Sequence, residues 1–167
     1  MTCSFEASRR LLSEGVILER TKKEGTVSYM VNCLYDVSIS LKIVTDKSIE
    51  SVSDSIGFMP TEVFRKGSKP FRNADYTSPH NVWLLTERYP EQSDIRYAVG
   101  RFFQKFGDCA AKANRMQEAE PSIRISLVSD FAQMGFTLTD AELDFLKRSC
   151  LPIEFSVFSF GMADDSD

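Results

Sequence analysis

Enzyme chemistry leaves readable spacings: a nucleophile beside a base, clustered metal ligands, or a glycine-rich loop that cradles phosphate. The chain has one histidine, His80, and no serine lies in a Gly-x-Ser-x-Gly elbow. His80 sits in a loop near Asp75, which makes that pair the one acid–base arrangement open to a cryptic enzyme. The four cysteines, Cys3, Cys33, Cys109 and Cys150, are dispersed and form no Cys-x-x-Cys pair, so no zinc site is expected. The run Asp164-Asp165-Ser166-Asp167 lacks the glycine and closing glutamate of a calcium loop. Neither Gly-x-Gly-x-x-Gly nor a P-loop pattern occurs. These absences favour a binding protein without catalytic residues, metal or cofactor.

Two features could bind something. Arg65-Lys66-Gly67-Ser68-Lys69 is the densest basic cluster, with Phe64, Phe71 and Tyr76 around it. It reads either as an anion site or as a charged turn that keeps a hairpin soluble. Trp83 lies in the apolar run Val82-Trp83-Leu84-Leu85, where core packing competes with a role as a stacking platform. A small-ligand or nucleotide-sensing site would therefore occupy residues 58–83, using Arg65, Lys66, His80 and Trp83.

The elements that must position these residues can be read from periodicity. Residues 5–12 read as a short helix stopped at Gly15, followed by a strand at 16–20 and a turn at 22–25. Bulky residues alternate from Val27 to Tyr35 and again through Val37, Ile39, Leu41 and Ile43. Residues 48–56 form a helix, with Asp46 or Ser48 as N-cap and Gly57 as stop. A short strand follows within 58–67, then a loop over 68–81 and a buried strand over 82–85. Residues 93–113 keep apolar side chains at i, i+3, i+4 spacing, with Ser93 as N-cap. Ile123, Ile125 and Leu127 alternate as a strand. Thr139-Asp140-Ala141-Glu142 is a capping box, opening a helix that buries Leu143 and Leu146. Residues 153–160 form the last strand, apolar on both faces near its end, which reads as central or covered.

The expected fold is α+β: a two-layer sandwich with a mainly antiparallel sheet and helices on one face. A length of 167 residues, 43% of them hydrophobic, suits one domain. It divides into an N-terminal helix-and-hairpin extension (1–35), a core (36–162) and an acidic tail (163–167). The net charge of −4 argues against direct nucleic-acid binding, which requires a basic surface. No apolar run approaches the ~18 residues of a membrane span. Reduced cysteines without a leading apolar segment suit a cytoplasmic protein.

Several spaced motifs form a pattern: the helix ending at Gly57, Pro60-Thr61, Arg65-Lys66-Gly67, Trp83, the helix carrying Leu143 and Leu146, and the closing Pro152-Ile153-Glu154-Phe155-Ser156-Val157-Phe158. From about residue 38 to 161 this resembles the bacterial domain-of-unknown-function family 4279. The resemblance implies a compact α+β fold, no established activity, and, for some members, service as immunity proteins beside polymorphic or contact-dependent toxins. The leading expectation is therefore an immunity protein that binds and neutralises a cognate toxin domain with a basic active site, without catalysis. Acidic charge would speed such an encounter by steering. The candidate contacts are Phe71, Tyr76, Asp130, Asp140, Glu142, Asp144, Asp164 and Asp165.

Overall fold

The computed structural model describes residues 36–70, 72, 74–90, 94–129 and 135–159. The expected N-terminal helix and strands at 1–35 and the acidic tail lie outside these residues.

The alternation over 37–43 produces β1 (Asp36–Thr45). Its odd positions, Val37, Ile39, Leu41 and Ile43, are all fully buried, while Ser38, Ser40 and Lys42 point to the other face. β1 is the middle strand of a five-stranded sheet ordered β2-β3-β1-β4-β5. It pairs antiparallel over its whole length with β3 (Asn81–Pro90) on one side and β4 (Ala119–Ser129) on the other. β2 (Glu62–Phe64) adds antiparallel to β3, and β5 (Ile153–Ser159) adds parallel to β4. The sheet is thus mixed, with three antiparallel pairings to one parallel, and the α+β class expected from sequence is the fold observed.

β3 is longer than the expected 82–85 strand. The extension Thr86-Glu87-Arg88-Tyr89 hides in the sequence because Glu87 falls in register with the inward Trp83 and Leu85. Lys105 reaches it from the helix above, Nζ to Oε1 3.2 Å, which makes a carboxylate tolerable on that face.

Three helices supply the second layer. In α1 (Ile49–Ile56) the Ser48 hydroxyl accepts the Ser51 amide, and Gly57 closes the helix at φ 78°. Ser48, not Asp46, is the N-cap. Gly57 donates its amide to the Ser53 carbonyl at 2.7 Å, and Lys112 Nζ donates to the Ile56 carbonyl at 2.8 Å. The end of α1 is therefore closed both by a left-handed glycine and by a cation from α2 (Ile95–Ala113). The N-cap of α2 is Asp94, whose side chain accepts the Arg96 amide. α3 (Asp140–Ser149) begins at Thr139 with the expected capping box.

Ile95, Ala98, Val99, Phe102, Phe106, Ala110 and Ala113 of α2 join the inward residues of β1, β3 and β4 in one core, with Ile49, Val52 and Ile56 from α1 and Leu146 from α3. Leu143, expected to be buried, is 49% exposed: α3 turns Glu142, Leu146 and Ser149 inward instead.

Trp83 is fully buried, and its indole Nε1 donates to Ser53 Oγ at 3.1 Å. The Tyr89 hydroxyl, by contrast, is buried with no hydrogen-bond partner, and burial pushes its pKa upward. These two groups predict opposite outcomes. Trp83→Phe should cost about 2 kcal/mol, from lost volume and a lost buried hydrogen bond. Tyr89→Phe should be neutral or stabilise by up to about 1 kcal/mol, since it removes an unsatisfied polar atom. Urea unfolding of the two variants checks both signs.

Candidate functional site

Three surface regions carry the side chains available for function. The first is a cleft at one end of the sheet. Because Thr45 pairs with both Asn81 and Ala119, the turn after β1, the start of β3 and the start of β4 converge there. They enclose about 740 Å³ lined by Asp46, Lys47, His80, Glu118 and Glu120. Asp46 Oδ1 accepts Lys66 Nζ at 2.9 Å and lies 3.2 Å from His80 Nδ1. Hydrogen bonds from Lys66 and then His80 hold the Asp46 carboxyl below its ordinary range. Asn81 braces the turn, accepting the Lys66 amide and donating to the Lys47 carbonyl, both at 2.9 Å.

This geometry changes the roles of the sequence candidates. His80 is held by Asp46, 34 positions away, not by Asp75. Among the described residues no hydroxyl or thiol is hydrogen-bonded to its ring, whose partner is the Asp46 carboxylate. Arg65 is paired with Glu50, Nη2 to Oε1 2.9 Å, and Lys66 with Asp46, so the two cations of the expected anion site are each already matched by a carboxylate. Trp83 lies in the core with its N–H bonded to Ser53, so it offers no platform to a ligand. The structure separates it from Arg65, Lys66 and His80 because alternation along β3 turns it toward the helices. Among the described residues no group of three His, Cys, Asp or Glu side chains could hold a metal. Cys109 is buried, and burial raises its thiol pKa, which leaves it a poor nucleophile.

The second region is the sheet face opposite the helices, where hydroxyls and charges replace apolar groups. Glu154 of β5 gathers five bonds: Lys42 Nζ at 3.1 and 3.4 Å to its two oxygens, Ser122 Oγ at 2.8 Å, and Arg124 Nε and Nη2 at 3.1 and 2.9 Å. Burial alone would raise its pKa, but the bonds from Ser122, Arg124 and Lys42 outweigh that and bring it down to about 2. The network ties β1, β4 and β5 together across the sheet.

The third region is the outer edge at β5, with the loop and helix before it. Ile125 and Leu127 of β4 are fully buried, yet their register partners Phe155 and Val157 are 45% and 52% exposed. Phe158, on the opposite face, is 55% exposed. The helices pack chiefly over β1 and β3, and their cover runs out before β5. Where a central or covered last strand was expected, β5 is an edge strand among the described residues, paired with β4 alone. Phe136 stacks on Phe155, ring centroids 5.6 Å apart, and α3 starts four residues later.

Of the predicted partner contacts, Asp140 and Asp144 are exposed on α3 beside Leu143, and Tyr76 is 60% exposed in the loop before β3. Glu142 is spent on the capping box: its Oε2 accepts the Thr139 amide at 2.7 Å and the Thr139 hydroxyl at 2.5 Å. Those hydrogen bonds hold its carboxyl below the ordinary range. Phe71, Asp130, Asp164 and Asp165 lie outside the described residues. Sequence reasoning did not single out Phe136, Phe155, Val157 and Phe158, which the structure leaves exposed. The signal was present, since the strand is apolar on both faces, but it reads equally well as burial within the chain.

No protein-family model, curated protein or solved structure matches this chain.

The Glu154 network sets a pH dependence. A carboxyl at about 2 when folded, against an ordinary 4.5, contributes stability that is full above about pH 4.5 and is lost as pH falls from there toward 2. Glu154→Gln should destabilise by about 1 kcal/mol at pH 7, an amount kept small by partial solvent exposure, and should flatten the acid limb of the stability curve. Urea midpoints measured between pH 2.5 and 7 check both.

Proposed function

We propose that this protein is a non-catalytic protein-binding module, acting in the cytoplasm as an immunity protein against a toxin domain. The observation that carries the binding mode is the apolar strand β5, which lies at the sheet's edge among the described residues and leaves Phe155, Val157 and Phe158 exposed. Edge strands are ordinarily shortened or guarded by lysine, proline or a bulge, because unpaired backbone invites another chain. Among the described residues the other edge, β2, is three residues long, whereas β5 is seven. β5 has no lysine and no proline, and its single charge, Glu154, is already engaged by three neighbours within the sheet. Phe136, Phe155 and Val157 then provide the desolvated centre that binding surfaces use as an anchor. Asp140 and Asp144 supply exposed acidic groups on α3, the helix that precedes β5.

The partner class rests on the resemblance of residues 38–161 to family 4279 and on the net charge of −4, which favours encounter with a basic partner. A substrate-turnover reading gains no support from the strand-end cleft, where among the described residues His80 is bonded to Asp46 and to no hydroxyl or thiol.

The test is co-expression with the toxin domain encoded beside this chain. The wild type should co-purify with the toxin and protect the cell. The double variant Phe155→Asp/Val157→Asp should fold, since both side chains are half exposed, and should weaken binding by roughly 30-fold or more, about 2 kcal/mol. Absence of binding and protection by the wild type would end the immunity reading.

A further inference from the structure

β5 has the geometry to pair with a second copy of itself. The Ile123 amide donates to the Pro152 carbonyl at 2.9 Å, and this bond sets the alternation along the strand. In the parallel ladder with β4, the backbone groups of Glu154, Ser156 and Phe158 turn toward β4, while those of Ile153, Phe155 and Val157 turn away from it. Among the described residues β5 has no neighbour on that outer side. An antiparallel strand laid there must meet residues 153, 155 and 157 with backbone groups of its own that also turn outward.

A second β5 meets that condition. Placed antiparallel about a twofold axis at Ser156, it sets Phe155 opposite Val157 and Val157 opposite Phe155, both as hydrogen-bonded pairs. A slip of one residue would set outward groups against groups already turned to β4, and a slip of two would leave part of each strand unpaired. The axis stands perpendicular to the sheet, so the helices of both copies lie on one side. Phe155 and Val157 then form two aromatic–β-branched cross-strand pairs on the helix side, a favourable combination. On the other face Ser156 meets Ser156 of the second copy. The strand's one charge, Glu154, falls opposite Phe158 rather than opposite itself, so no like charges are brought together.

The area fits a weak, reversible pair. Burying what Phe136, Phe155, Val157 and Phe158 expose, at about 150–250 Å² for a whole aromatic side chain, removes up to roughly 350 Å² per copy and about 700 Å² per pair. The strand backbones bring this near the ~1,000 Å² of a specific interface. The other described edge, β2, is three residues long, so the long edge matches its own copy best and the contact closes as a dimer instead of running on as a filament.

We propose that this protein forms a reversible homodimer in which the β5 strands of two copies pair antiparallel about Ser156 and join two five-stranded sheets into one. The dimer rests on the same reading of β5 as an open edge that underlies the toxin-binding mode. It covers that edge at high concentration, and the low-micromolar monomer presents it.

Sedimentation velocity of the full chain from about 5 to 500 μM should show mass action carrying monomer to dimer. Val157→Pro removes an amide that is turned away from β4, and Val157→Lys puts a guarding charge on the edge. With folding verified by circular dichroism, each should raise the dissociation constant at least about thirtyfold. Ser156→Cys is the independent arm. A non-hydrogen-bonded pair on the axis holds its Cα atoms about 4.5 Å apart, within disulfide range. Mass spectrometry after oxidation should therefore find residue 156 linked to residue 156. Ser38→Cys, on the same face but two strands inward, should give no such link. A chain that stays monomeric throughout, a dimer that both folded Val157 variants leave unchanged, or absence of the 156–156 link would each overturn the proposal. Toxin binding by a strictly monomeric chain would overturn the dimer and leave the immunity reading standing; a β5 dimer that binds no toxin would do the reverse.

Discussion

One strand organises this molecule. β1 is paired on both sides along all ten of its residues, so its strict alternation decides which face of the sheet is dry. Val37, Ile39, Leu41 and Ile43 draw Trp83 and Leu85 of β3 and Ile123, Ile125 and Leu127 of β4 into the same plane. The helices must cover that plane, since each of these aliphatic side chains is worth about 1.5–3 kcal/mol when removed from water. The opposite face inherits Ser38, Ser40 and Lys42, and with them a polar surface that can hold Glu154.

Distance from β1 then determines what is left for function. The second layer has only three helices among the described residues, and it is centred over β1 and β3. Two strands away, at β5, apolar side chains continue in register, but among the described residues the helical cover does not. Phe155 and Val157 are therefore built as core residues and displayed as surface residues. The Glu154 network bears on this directly. It fastens β5 to β4 and β1 from the polar face, which holds the strand in the sheet where the described helices do not cover it.

Much of this was legible in the residues. The alternation of β1, the helix between Ser48 and Gly57, the amphipathic run of α2 and the Thr139 capping box are local patterns, and local physics produced them. What was not legible depends on contacts distant in sequence. His80 finds Asp46 only because β3 and β1 start and end at the same edge. Trp83 finds Ser53 only because α1 folds over β3. Leu143 faces outward because Glu142 and Leu146 take the inward positions of α3, a rotation that helical spacing alone leaves open. The apolar character of 153–159 was visible, but periodicity does not distinguish a strand covered by its own chain from one covered by a partner.

The claim that β5 is a docking edge is tested most directly by amide hydrogen exchange, measured on the free chain and on its complex with a toxin domain that it is found to bind. The account predicts that the outward-facing amides of residues 153–158, those not bonded to β4, exchange readily when free and slow markedly in the complex, with protection extending to the loop around Phe136. A complex that forms while exchange in 153–159 stays unchanged would contradict it.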